Sequence, residues 1–211
     1  LAKGEVGLIV SSHAFVSPEG QAGPWQLAVY DDRLIPGLAQ MADAAHEGGS
    51  AIVLQLAHAG VQAATPLTKT EAVGPSDMAD ENGAVGREMT LTEVEQTTDA
   101  FVAAAGRAKA AGFDGVQLHG AHGYLLSQFL SSYYNKREDE FGGSVENRAR
   151  IVLDILGGIK STLGENFPVL IKMNSEDFIE VGLSVEEMLQ VAARLEDAGI
   201  DGIELSGGTA D

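Results

Sequence analysis

The ten residues Ala111-Gly112-Phe113-Asp114-Gly115-Val116-Gln117-Leu118-His119-Gly120 return 87 positions later as Ala198-Gly199-Ile200-Asp201-Gly202-Ile203-Glu204-Leu205-Ser206-Gly207. Each copy reads as a helix end closed by glycine, an acidic turn, a short apolar strand and a strand exit that bears glycine. A unit that recurs in this way points to a (β/α)8 barrel, where one β-α module is used repeatedly. A doubly wound dinucleotide sheet has less support, because no G-x-G-x-x-G follows the first strand.

The flanking sequence extends the alternation. Val6–Val10, Ala51–Leu56, Val116–Leu118, Pro168–Met173 and Ile203–Leu205 are short apolar runs, the pattern of strands covered on both faces. Caps and stripes predict helices between them. Thr90 with Glu93 forms a capping box ahead of Val94, Phe101, Ala105 and Ala108, and Gly112 ends that helix. Ser184 with Glu187 forms a second box ahead of Val185, Met188, Ala192 and Leu195, closed by Gly199. A third helix starts near Ser144 and carries Ala149, Val152, Ile155, Leu156 and Ile159 on one face. A fourth, about Asp32 to Glu47, places Leu34, Leu38, Met41 and Ala45 inward and stops at Gly48. The β-α-β-α-β-α-β-α-β order predicts a parallel sheet with crossover helices. A full barrel takes about 250 residues. Five strands in 211 residues therefore predict one domain, residues 1–211, that is an incomplete α/β TIM barrel lacking material at both ends.

Composition narrows the function. Hydrophobic residues at 45% and charged residues at 21% fit a folded soluble chain rather than a disordered one. No apolar run approaches the roughly 18 residues of a membrane span, so no membrane partner is expected. Thirteen basic against 31 acidic residues give a net charge of −18, which repels phosphate backbones, so no nucleic-acid partner is expected. The lack of cysteine excludes disulfides, thiolate nucleophiles, iron–sulfur ligands and Cys-type zinc sites within this stretch. Leu1–Val10 has neither a basic start nor a cleavage site, so no signal peptide is predicted. A cytoplasmic enzyme acting on a small molecule is the expectation.

Barrels of this kind gather functional groups at the C-terminal ends of their strands. Those ends carry Ser11, Ser12 and His13; Gln55 and His58; His119, His122 and Tyr124; Lys172 and Asn174; and Ser206, Gly207 and Gly208. His119 and His122, three residues apart, can converge on one ligand oxygen that gains negative charge, and Tyr124 is a weak acid placed to deliver a proton. Two other readings stay open: a metal site completed by His58, and a structural histidine pair bonded to backbone. Lys172 interrupts an apolar strand, which calls for an anionic partner, a Schiff base or a snorkelling side chain. Gln55 offers both donor and acceptor to a heterocycle edge, or is a satisfied core amide.

The run Gly112 through Ser131, continued by Asn135-Lys136-Arg137-Glu138-Asp139-Glu140-Phe141-Gly142-Gly143-Ser144-Val145-Glu146-Asn147-Arg148, resembles the old yellow enzyme family of FMN-dependent NAD(P)H:flavin oxidoreductases. Val16-Ser17-Pro18-Glu19-Gly20 and Gln55-Leu56-Ala57-His58-Ala59-Gly60 are similar to further strand exits of that family, and the likeness covers nearly the whole chain. It implies that Gln55 contacts the flavin ring and that Lys172 sits at its N1/O2 edge. It implies that His119 and His122 hold the substrate oxygen, that Tyr124 is the proton donor, and that no metal is used. His13 or Ser12 is implied to offer backbone groups to the flavin, and Ser206 and Gly207 to lie near the ribityl chain. Val61 departs from the pattern, where arginine is common.

The resemblance implies hydride transfer from NADH or NADPH through FMN to an electron-poor alkene such as an α,β-unsaturated carbonyl, the ene-reductase reaction. The alternatives are a metal-dependent or Schiff-base lyase or hydrolase on the same barrel, and an inactive fragment. By family register the five strands are the second to sixth. An open sheet edge, no phosphate cradle within residues 1–211 and weak FMN retention are then expected, and exposed edges also favour a homo-oligomer.

Overall fold

The computed structural model describes residues 1–80 and 83–209. In chain order the elements are β1 (Leu8–Val10), β2 (Ala14–Phe15), β3 (Leu27–Ala28), α1 (Ile35–Glu47), β4 (Ala51–Ala57), α2 (Thr65–Thr68), β5 (Val73–Gly74), β6 (Met78–Asp80), β7 (Gly83–Glu88) and α3 (Leu91–Ala110). Then follow β8 (Gly115–Gly120), α4 (Leu125–Leu130), α5 (Val145–Leu163), β9 (Val169–Asn174), α6 (Val185–Asp197) and β10 (Gly202–Ser206). All five strands and all four helices expected from the sequence are present.

The main sheet runs β10-β9-β8-β4, and β4 then receives two short strands on its other edge. Leu8 to Val10 pair with Ala51 to Val53, and Ala14 and Phe15 pair with Leu56 and Ala57. β1 and β2 are thus two pieces of one barrel strand, broken at residues 11–13, with β3 added outside β2. Every pairing in this sheet is parallel. Among the described residues β10 pairs with β9 alone and does not meet β3, so the sheet is a partial barrel with open edges. No described helix is long and apolar enough to cross a membrane.

The repeated decapeptide has a physical cause. Asp114 Oδ2 accepts from the Ile52 N–H at the start of β4 at 2.7 Å and from His46 Nε2 of α1 at 2.8 Å. Asp201 Oδ2 does the same two modules later, accepting from Val169 N–H of β9 at 2.8 Å and from Lys160 Nζ of α5 at 2.6 Å. The backbone N–H groups of both aspartates return a bond, to the Ile52 and Val169 carbonyls. Gly112 and Gly199 precede them with φ of 87° and 84°, a left-handed helix exit that suits glycine. Each aspartate therefore pins a strand start to the neighbouring strand and to the helix that leads into that neighbour. Lys160 is buried and also donates to the Glu165 and Phe167 carbonyls. Asp201→Ala is expected to cost about 1.5–3 kcal/mol, the usual worth of bonds to a charged group. A urea midpoint unchanged at constant slope would remove Asp201 from this role.

The outer face of the sheet packs Leu54, Leu56, Val116, Leu118, Ile171 and Met173 against Phe101, Ala105 and Ala108 of α3 and Ala149, Val152, Ile155, Leu156 and Ile159 of α5. Each fully buried large side chain here contributes about 1.5–3 kcal/mol. Two expectations need correction. Val185 is exposed, and the inward stripe of α6 is Met188, Val191 and Leu195, because α6 flanks the edge strand β10. The Ser184 box is half-formed: Ser184 Oγ caps Glu187 N–H, but the Glu187 carboxylate is bonded to buried Arg148 instead. The small sheet β5-β7-β6, between β4 and α3, was not anticipated.

Candidate functional site

Strand parity builds the site. Leu54 and Leu56 of β4 and Val116 and Leu118 of β8 point to the helices, so Gln55, Gln117 and His119 point to the concave face. Register then aligns His119 with Lys172 of β9 and Lys172 with Glu204 of β10. A hollow of about 450 Å³ opens over these strand ends, lined by His13, Gln55, Gln62, His119, His122, Tyr124 and Lys172.

Four rings crowd one side of it. The His119 ring centroid lies 5.0 Å from that of Tyr124, 5.4 Å from His122 and 5.9 Å from His13, and His13 is 5.5 Å from Tyr124. His119 is buried, and its Nδ1 has no hydrogen-bond partner among the described residues. A buried nitrogen left so is costly unless a ligand atom completes it. The other side of the hollow is polar and connected. Gln55 Nε2 donates to Gln117 Oε1 at 2.6 Å, Gln117 Nε2 to Glu204 Oε2 at 2.8 Å, and Lys172 Nζ to Glu204 Oε1 at 2.9 Å.

The loop after β8 is held in an unfavourable backbone shape. His122 has φ of 58° and Gly123 φ of 71°; a left-handed histidine needs support from its surroundings. Asn174 supplies it, its Oδ1 accepting from His122 N–H at 3.1 Å while its Nδ2 donates to Asp177 Oδ1 at 2.8 Å and to the Gly208 carbonyl at 3.0 Å. A side chain at Gly123 would meet Gln62 Nε2 at 2.7 Å. Gln128, fully buried, bonds the Gly123 and Ala59 carbonyls and the Val61 N–H, tying the β8 exit to the β4 exit. Tyr124 occupies the N-cap position of α4 with extended backbone, which fixes the direction in which its phenol leaves the backbone.

Burial keeps the imidazoles neutral. His119 is depressed to about 3, by burial first and then by His122, His13 and Lys172. Burial, with Lys172, also lowers His122, burial lowers His13, and burial raises Tyr124. His58, buried elsewhere, falls to about 4 by desolvation. The folded state thus leaves His58 and His119 unprotonated, whereas unfolded histidines bind a proton near about pH 6.5. Protons favour the unfolded chain in that window, so stability falls as the pH drops from about 6.5 toward about 4. His58→Gln is expected to flatten the slope. Equal changes in unfolding free energy between about pH 7 and about pH 5 in variant and wild type would contradict this.

Of the residues singled out in the sequence, Gln55, His119, His122, Tyr124, Lys172 and His13 line one hollow. Ser206 Oγ sits 2.6 Å from His122 Nε2, Ser12 is exposed on the rim of a neighbouring hollow with Trp25, and Gly207 lies exposed against Phe178. His13 brings its side chain to the site, not only its backbone. His58 does not join: its Nδ1 accepts from Gly60 N–H at 3.0 Å and its ring packs under Gly20. The metal alternative loses its third ligand, and no three His, Cys, Asp or Glu side chains converge on a metal position among the described residues. Lys172 has an anionic partner in Glu204, which sequence reading missed along with Gln117, Gln62 and Gln128. Gln117 and Glu204 share the parity of His119 and Lys172, and that signal was available.

Comparison with known proteins agrees in fold and sequence. The model of the NADH:flavin oxidoreductase / NADH oxidase family matches residues 1–209. The chain is 40% identical over 210 residues to an NADH oxidase of Thermoanaerobacter brockii, covering 98% of this chain and 32% of that one. It is 39% identical over 208 residues to an NADPH dehydrogenase of Bacillus licheniformis, covering 98% and 60%. Among solved structures it superposes on a 2-naphthoyl-CoA reductase in complex with 2-naphthoyl-CoA (TM-score 0.94, 33% identity, 99% of this chain and 34% of that). It also superposes on the old yellow enzyme homologue from Zymomonas mobilis (TM-score 0.89, 28% identity, 100% and 62%). The chain therefore spans between about a third and about three fifths of the length of these relatives.

Proposed function

Since the chain belongs to the NADH:flavin oxidoreductase / NADH oxidase family, we propose that the protein is an FMN-dependent oxidoreductase that takes hydride from NADH or NADPH and reduces an electron-poor alkene such as an α,β-unsaturated carbonyl. The observation that carries this reading is the unpartnered, buried His119 Nδ1 beside Tyr124, in a hollow that Gln55 and Lys172 also line. The residues fit a flavin ring edge: Gln55 has an amide with donor and acceptor, and Lys172 is a cation for a ring that gains negative charge. FMN, when bound, supplies the two-electron relay between nicotinamide and alkene. Ser12, His13, Ser206 and Gly207 are proposed to border it.

The chain's own residues do the rest. Neutral His119 and His122 donate N–H bonds to the carbonyl oxygen of the acceptor and stabilise its developing charge without delivering a full proton. The Tyr124 phenol, kept protonated by burial, gives its proton to the carbon next to that carbonyl. His119 is depressed to about 3, and burial lowers His122 and raises Tyr124, so the acceptor step is expected to be flat from about pH 7 to about pH 9. A rate that follows a group near about pH 6.5 would mean that a histidine acts as a cation.

The need for a nicotinamide reductant supports a cytoplasmic location. The exposed Ile203 and Leu205 of β10 support self-association into a homo-oligomer. The test is spectroscopic. Supplied with excess FMN, the protein should show bound-flavin absorption that bleaches under anaerobic NADH or NADPH and returns on adding an unsaturated ketone. No flavin binding even at excess FMN, or bound flavin that neither nucleotide reduces, overturns the reading.

A further inference from the structure

Glu204, on the edge strand β10, bonds Lys172 and Gln117 beside the hollow, yet nothing in the proposed chemistry uses it. Its two oxygens accept from two different partners, Lys172 Nζ at 2.9 Å and Gln117 Nε2 at 2.8 Å. The Lys172 bond, then the Gln117 bond, holds its carboxyl below the usual glutamate value, so it is an anion at neutral pH.

A carboxylate can only accept. Gln117 must therefore turn its amide nitrogen toward Glu204, which leaves its Oε1 for Gln55. Gln55 in turn must point its nitrogen at Gln117, at 2.6 Å. Gln117 and Gln55 are both buried, so neither amide can trade these bonds for water. The ionised carboxylate sets the polarity of the whole row. At its end, Gln55 is left with its carbonyl oxygen for whatever enters the hollow. The other arm of Glu204 holds Lys172 beside that position and offsets its charge.

We propose that Glu204 is a positioning residue for the cofactor edge: through Gln117 it makes Gln55 present an acceptor oxygen, and through its charge it moderates the field of Lys172. The hollow thereby offers one acceptor and one cationic donor side by side, which suits a ring edge with an N–H next to an oxygen or a basic nitrogen. This rests on the FMN reading above.

The test compares the FMN-loaded wild type with Glu204→Gln, Lys172→Met and the double variant, reading FMN dissociation constant and reduction potential. Glu204→Gln keeps the shape but removes both the forced polarity and the negative charge. Its FMN affinity is expected to fall about three- to tenfold, the worth of one misdirected hydrogen bond. Its potential should rise, the reduced form gaining up to about tenfold, which is about 30 mV for a two-electron couple. That rise should vanish when Lys172 is Met. If Glu204→Gln fails to fold, Gln117→Met replaces it, with weaker FMN binding and an unchanged potential expected. A wild type that binds no FMN defeats the functional reading itself. A wild type that binds FMN, with variants unchanged in affinity and potential, overturns this inference alone.

Discussion

Tyr124→Phe is expected to slow reoxidation of the reduced protein by an α,β-unsaturated ketone by about 10²–10⁴-fold, the usual contribution of a positioned proton donor. The phenol leaves from the cap of α4, 5.0 Å ring to ring from His119 and 5.5 Å from His13. Phenylalanine keeps those ring contacts and the packing, so what is lost is the proton. Reduction by NADH or NADPH needs no proton from Tyr124 and should proceed at the wild-type rate. Stopped-flow absorbance resolves the two half-reactions. A variant slowed equally in both would place Tyr124 in cofactor binding, and one slowed in neither would remove it from the chemistry.

Arg137→Met is expected to destabilise the fold by about 3–5 kcal/mol, as removal of one partner from a buried ionic network does. Arg137 is buried, and its guanidinium donates to the Pro75 carbonyl at 3.0 Å, the Met89 carbonyl at 2.7 Å and the Asp139 carboxylate at 2.6 Å, with Glu88 also near. It ties the loop before α5 to the C-terminal ends of the parallel pair β5 and β7. Methionine fills much of the volume but satisfies neither carbonyl and leaves Asp139 unpaired. Urea denaturation gives the number. A loss below about 1 kcal/mol would mean that these carbonyls find other partners.

The barrel modules were legible because they repeat. Asp114 and Asp201 serve the same function before β8 and β10, two modules apart, so the decapeptide recurs at the spacing of that function. The helices were legible because each carries one apolar stripe and a cap. What escaped was tertiary. β5, β6 and β7 are strands of two to six residues, met at the Pro75 and Met89 carbonyls by Arg137 from a distant loop, and no local period marks them. Glu187 reads as a capping residue until Arg148, 39 positions away, takes its carboxylate. Gln117 and Glu204 read as ordinary strand residues until register sets them in one row with Gln55 and Lys172. His13 was assigned by its backbone, because its ring meets His119 and Tyr124 only once the broken edge strand folds against β4.

The proposed function divides the labour of one hollow between Gln55 and Lys172 for the cofactor ring and His119 and His122 for the acceptor oxygen. Its most direct test is His119→Ala, assayed for FMN content, metal content and the rate of reoxidation by an unsaturated ketone. The expected result is FMN retained and still bleached by nicotinamide, with reoxidation slowed about 10²–10³-fold, as when one donor to a developing oxyanion is removed. A stoichiometric metal in the wild type that disappears in the variant, or reoxidation at the wild-type rate, would contradict it.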